Sequence, residues 1–204
     1  MPHQPTLDYL LDQVDFYQPL AQLQHALHVF DHLSDTQVQN LTSGKYIKNW
    51  EAGMVMEYLP PVRLTPYVAS LLMHLQDGNW PAYPYVAAAI LKLDETAIPA
   101  VQHVFATEKN DGIWLANLIR SVIQQWPRTW QERVKADLVE YVRYAERDGA
   151  SITALEALEC LLPPEEHRQL YQYLCAQYAA RPEELAELHQ AFAYDSEHNS
   201  EIEE

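Results

Sequence analysis

Glycine is scarce in this chain, five among 204 residues against thirteen prolines. Alternating runs rich in Val, Ile and Thr are nearly missing as well. Together these shortages exclude a β-sandwich or barrel, whose short strands need tight turns every few residues. Cysteine is scarcer still. Cys160 and Cys175 form no C-x-x-C pair and build no disulfide framework, so a reducing cytoplasm is the expected location. No apolar stretch approaches the roughly 20 residues of a membrane span. The opening MPHQPTLDYLLDQ has neither a basic segment nor a small-residue cleavage site, and no secretory signal is expected. A glycine-rich phosphate loop and a G-x-S-x-G nucleophile elbow are both missing from the sequence. The chain is therefore expected to be no enzyme and to carry no cofactor.

Positive charge is absent from the first 44 residues, which hold Asp8, Asp12, Asp15, Asp31 and Asp35 but no Lys or Arg. Residues 45–147 balance eleven acids with eleven bases, whereas residues 148–204 set thirteen acids against Arg168 and Arg181 alone. The total is −16, distributed as a neutral middle between two acidic ends. Direct nucleic-acid binding needs a basic footprint, and this chain has none. Its electrostatic complement is a basic protein.

What is present is a rhythm of turns. Asp-Gly occurs at Asp77-Gly78, Asp111-Gly112 and Asp148-Gly149, spaced 34 and 37 residues apart. Helical segments precede these turns (PYVASLLMHLQ, IPAVQHVFATE, WQERVKADLVEYVRYAE), and others follow (YVAAAILKL, IWLANLIRSVIQQW, ITALEALECLL). Two helices per unit at this period predict an α-solenoid. The three aspartates read as turn or cap residues that satisfy orphan amides. Thr65-Pro66, Pro127 and Pro163-Pro164 read as helix starts. Leu115, Leu118, Ile119 and Val122 form one apolar face, and Leu155, Leu158 and Leu162 another. The alanines of Val86-Ala87-Ala88-Ala89-Ile90 predict close helix approach.

Ahead of this repeat, Leu7, Leu10, Leu11 and Val14 mark one helix. A second is predicted from about Leu20 to Leu33, with Leu20, Leu23, Leu27 and Phe30 on one face. Residues 42–45 (TSGK) read as a linker. A helix over Tyr46 to Leu59 is expected to turn Ile47, Trp50, Met54 and Tyr58 inward. A last pair is expected from Pro164 to about Ala180 and from Pro182 to Tyr194. The final DSEHNSEIEE is expected to be disordered. The expected domains are an acidic N-terminal helical pair over 1–44, a helical-repeat domain over 45–194 and a tail over 195–204.

Asp77, Asn79, Trp80 and Pro81, followed by Asp111 and Trp114, resemble the signature of a small bacterial family, domain of unknown function 5071, over roughly residues 60–147. The resemblance implies a HEAT-like architecture, and with the repeat of turns the expected fold is a right-handed all-α solenoid of helical pairs with an N-terminal helical extension. It brings no catalytic residues.

Two sets of residues are candidates for contact with a protein partner. Trp80, Tyr83 and Tyr85 crowd one turn and Trp126 and Trp130 another, and such aromatics dominate interface hot spots. Glu183, Glu184 and Glu187 supply negative charge. Trp80 reads equally as a plug between repeats. His25, His28 and His32 lie on one side of a helix at spacings that suit zinc, but on its polar side, and no metal is expected. Cys160 and Cys175 lie in apolar helical runs and read as buried apolar residues. The expected function is non-catalytic sequestration of a basic protein, as an immunity protein neutralises a toxin. The alternatives are a scaffold or oligomerisation adaptor, and an enzyme whose site has no recognisable motif.

Overall fold

The computed structural model describes residues 5–15, 17, 20–144 and 149–192. These are helical, with no strand among them. The chain divides into two compact units, Met1–Val101 and Gln102–Glu204.

Unit 1 carries α1 (Leu7–Leu11), α2 (Leu20–His28), α3 (Asp35–Leu41), α4 (Trp50–Tyr58), α5 (Pro61–Leu64), α6 (Val68–Met73) and α7 (Tyr83–Leu91). The boundary falls within α8 (Ile98–Thr107). Unit 2 continues with α9 (Gly112–Ser121), α10 (Arg128–Tyr144), α11 (Ala150–Leu158), α12 (Pro164–Tyr178) and α13 (Pro182–Phe192). Among the described residues, each of the six segments that flank the Asp-Gly turns in the sequence is helical over most of its length. Tyr194, Asp148 and the acidic tail lie outside the described residues.

Several helix starts follow from local chemistry. Thr6 caps α1, and Ser34 caps α3 through a capping box in which Gln37 returns a bond to the Ser34 amide. Three expectations are corrected. The helix expected from Tyr46 begins only at Trp50, because Asn49 Oδ1 takes the Ala52 amide at 2.6 Å and caps it there. Its buried face is also different. Ala52, Gly53, Met54, Val55 and Met56 are buried in succession, whereas Ile47, Trp50 and Tyr58 are only half-buried. A helix buried in succession has neighbours on more than one side, so no single stripe marks it. Second, Thr65 is not an N-cap but the C-cap of α5. Its hydroxyl donates to the Pro61 carbonyl at 3.0 Å within a run that begins one step earlier, at Pro60-Pro61. Third, α2 ends at His28 and a 3-10 turn completes the path to His32.

The alanine-rich α7 packs on α4, and its neighbour there is Gly53. A Cβ at Gly53 would lie 3.0 Å from Ala82 Cα and 3.1 Å from Ala82 O, so a larger residue would press the Ala82 backbone back by a few tenths of an ångström. The N-terminal helices are tied to the rest of unit 1 by polar contacts. Lys45 donates to both Asp8 oxygens at 2.9 Å, Arg63 to the Leu33 carbonyl, and the Tyr67 hydroxyl to the Asp35 carbonyl at 3.1 Å. The TSGK stretch, read as a linker, is held in place. Thr42 is fully buried and Gly44–Tyr46 form a 3-10 turn.

In unit 2, α11 packs on both α9 and α10. Leu115, Leu118, Ile119 and Val122 are buried as the spacing predicts, and so are Leu155 and Leu158. Leu162 is only half-buried, and Leu161 takes the inward position just beyond the end of α11.

Candidate functional site

Acidic charge collects on α11, α12 and α13. Glu159, Glu165, Glu166, Glu183 and Glu187 are exposed, and Glu184 is half-buried. The two cations of this stretch are already engaged. Arg168 pairs with Glu165 at 2.8 Å one turn away, and Arg181 lies over the Tyr178 ring at 5.4 Å. Glu156 of α11 is half-buried. Burial, with the Glu187 and Glu159 carboxylates nearby, pushes its carboxyl above the usual range despite the opposing Arg120 guanidinium. Glu187 has a local contact as well. Gly149, at φ +78°, leads into α11, and a Cβ there would meet Glu187 Oε1 at 3.2 Å.

The aromatic residues divide. At the first turn Trp80, Tyr83 and Tyr85 are half-buried, and the Lys48 ammonium stands 5.6 Å from the Trp80 ring. Asp77 Oδ1 builds this turn by accepting the Asn79 amide at 2.9 Å and the Asn79 side-chain amide at 3.0 Å. In unit 2 Trp126 is buried, edge-on to the half-buried Trp130 with centroids 6.2 Å apart. Its indole N–H has no hydrogen-bond partner. A side chain so placed contributes packing, and Trp130 is the one of this pair that reaches solvent. Asp111 takes the Trp114 amide at 3.0 Å as the cap of α9, and the Trp114 ring is buried. Asp77 and Asp111 therefore build turns and caps, as their sequence setting predicts.

His25, His28 and His32 are exposed, and among the described residues no three His, Cys, Asp or Glu side chains are grouped to hold a metal. His28 has a different role. Its Nδ1 lies 3.2 Å from Asp31 Oδ2 and 3.0 Å from the Tyr58 hydroxyl, which donates to Asp31 Oδ1 at 2.9 Å. Hydrogen bonds from Tyr58 and then His28 hold the Asp31 carboxyl below its ordinary range. Tyr58 also lines an open hollow of about 220 Å³ with Leu27, Met54, Glu57, Tyr85 and Lys92. Sequence reasoning missed this site. Its signals were His28 and Asp31 three residues apart on a helix, and Tyr58, whose distance in the chain hid the contact.

A larger open hollow in unit 2, about 390 Å³, lies between α10 and α12, with Arg143, Glu166, Gln169 and Tyr173 around Val139, Leu162 and Leu170. Cys160 is exposed and Cys175 half-buried, which corrects the expectation that both are buried. Among the described residues no helix is long and apolar enough to cross a membrane.

Fold and surface thus define an all-helical protein in two compact units, with one strongly acidic group of helices. The family described as Domain of unknown function (DUF5071) matches residues 54–158, and the chain belongs to that family. No curated protein and no solved structure matches it. The matched stretch runs from α4 to the end of α11, so α12 and α13, which carry most of the uncompensated acid, lie beyond it.

Proposed function

We propose that this is a non-catalytic binding protein that sequesters a basic protein partner, in the manner of a cytoplasmic immunity protein that neutralises a bacterial toxin. The observation that carries this reading is the acid of α11 to α13, where of five exposed glutamates Glu165 pairs with Arg168, the other arginine, Arg181, lies over the Tyr178 ring, and Glu159, Glu166, Glu183 and Glu187 remain. Uncompensated charge of one sign speeds association with a partner of the other sign and rejects like-charged competitors. The helix, turn, helix units support a right-handed, HEAT-like solenoid, an architecture that offers an extended binding surface and no chemistry of its own. Half-buried Trp80, Tyr83, Tyr85 and Trp130 supply aromatic anchors of the type that hot spots use.

The test is capture of the partner by the full chain at low and moderate salt, beside a Glu183→Lys/Glu184→Lys variant. A one-to-one complex with a basic protein is expected, its association rate lowered about ten-fold or more by the reversal at low salt. Oligomers formed without any partner would favour the adaptor reading. A partner whose association ignores both salt and the reversal would sink the electrostatic one.

A further inference from the structure

We infer that the hollow between α10 and α12 seats the apolar face of a short basic helix from the protein partner. This rests on the proposed function and deepens it, by naming where the partner is anchored and by what. The hollow, about 390 Å³, has an apolar floor of Val139, Leu162 and Leu170. Val139 and Leu162 are half-buried, so the floor is open to water on one side. Tyr173 joins the two walls, since it stands on α12 and its hydroxyl donates to the Arg143 carbonyl of α10 at 2.7 Å. Arg143, Glu166 and Gln169 complete the lining, and all three are exposed. The cation of α12, Arg168, is taken by Glu165, and Glu166 is in no ion pair among the described residues.

The lining carries one charge of each sign, so the hollow itself selects neither a lone cation nor a lone anion. Its floor selects an apolar group, and covering that floor drives docking. Charge outside the hollow sets the flanks of the occupant. Glu166 belongs both to this lining and to the exposed acid of α11 to α13. A partner segment entering here meets that acid, and lysine or arginine beside its apolar residues complements it. A second copy of this chain would bring its own acid instead, thirteen acids against two bases over residues 148–204, and would be repelled. A metal ion finds no group of three ligands among the described residues. The walls also decide the conformation of the occupant. Both are helices whose backbone bonds are made internally, so an extended segment would leave amides unpaired, whereas a helix satisfies its own. Apolar side chains one turn apart on such a helix share a face and enter together.

The test is an NMR titration of the full chain with a designed helical peptide of leucine, alanine and lysine, its leucines on one face. One control scatters the leucines, and a second replaces lysine with glutamate. Amide shifts are expected around residues 139–143 and 162–173, with both controls binding about ten-fold or more weakly. Val139→Glu separates apolar seating from charge. It adds an acid but spoils the floor, so it should weaken the lysine peptide about ten-fold, where attraction by charge alone would tighten it. Leu162→Ala, a milder truncation, should weaken it about three-fold. The spectra themselves show that each variant is folded. Equal binding of the scattered peptide, tightening by Val139→Glu, preference for the glutamate peptide, or shifts confined to α13 would each overturn the inference. The Glu183→Lys/Glu184→Lys variant keeps this apart from the wider reading. It should still show peptide shifts at the hollow, while association with the partner loses its salt sensitivity. Partner capture that survives Val139→Glu undiminished would leave the wider reading standing and remove the anchor.

Discussion

In unit 1 the polar ties join residues far apart in the chain. Lys45 reaches Asp8, Tyr58 reaches Asp31, Arg63 reaches Leu33, and Lys92 reaches back to Glu57. In unit 2 several charged pairs instead stay within one helix, such as Arg128–Glu132, Lys135–Glu132 and Arg168–Glu165. Lys109–Glu140, Gln102–Asp137, Tyr144–Asn110 and Tyr173–Arg143 are longer ties there, beside the apolar packing of α11 on α9 and α10. The difference shows where charge has structural use. Unit 1 uses its few cations to seat an N-terminal segment that has none of its own. In unit 2 the cations among the described residues thin out toward α13, and Glu159, Glu183 and Glu187 are exposed there.

The largest effect should come from the apolar side of this comparison. Leu155 is fully buried in α11, and Leu155→Ala is expected to cost about 2–5 kcal/mol, from lost transfer energy plus a cavity. Urea unfolding, with hydrogen exchange read in α9 to α11, measures it. A cost below about 1 kcal/mol would mean that unit 2 does not depend on this packing.

Next comes the tight crossing in unit 1. Gly53→Ala should destabilise by about 1–3 kcal/mol, since the new methyl would press on the Ala82 backbone. That outweighs the gain in helix propensity of about 1 kcal/mol. A stabilised variant would show that α4 and α7 separate easily.

The two turn aspartates permit a comparison of like with like. Asp111 caps the ten residues of α9, and Asp111→Ala should cost about 0.5–2 kcal/mol. Asp77 closes only a local turn, so Asp77→Ala should cost less. The reverse order in thermal unfolding would overturn the assignment of caps.

The smallest effect is a slope with pH. His74 is fully buried, its Nε2–H donates to the Thr42 carbonyl at 3.1 Å, and its Nδ1 has no partner. Burial lowers its pKa below the ordinary 6.5. The unfolded chain then binds the proton more readily than the folded one, so stability present above pH 6.5 falls as the pH drops below it. His74→Gln should flatten that slope in chemical unfolding between neutral and mildly acidic pH. An unchanged slope would place its origin elsewhere.

Much of the helical layout was legible because its causes are local. The Asp111 cap, the starts after Pro127 and at Pro164, and the apolar face of α9 each depend on residues within a turn or two of one another. The start of α4 was misplaced because Asn49, a strong cap, sits inside a run that looked continuous from Tyr46. The face of α4 was misread because its burial comes from several neighbours at once. The acidic candidates were readable from composition alone. The aromatic candidates were not, since Trp126 and Trp130 look alike in the sequence and only contact with the surrounding helices buries one more deeply than the other.

The amino-acid sequence by itself determined that this protein is helical, where several helices begin, and that its C-terminal third is acidic. Hydrogen bonding from residue to residue, capping and charge count act over a few positions, and they hold whatever the rest of the chain does. Tertiary structure alone decided that Gly53 meets Ala82, that His28, Asp31 and Tyr58 share one set of hydrogen bonds, and that a hollow opens beside Tyr85. Those arrangements bring together side chains some thirty residues apart, and they exist only once packing has brought separate helices into contact.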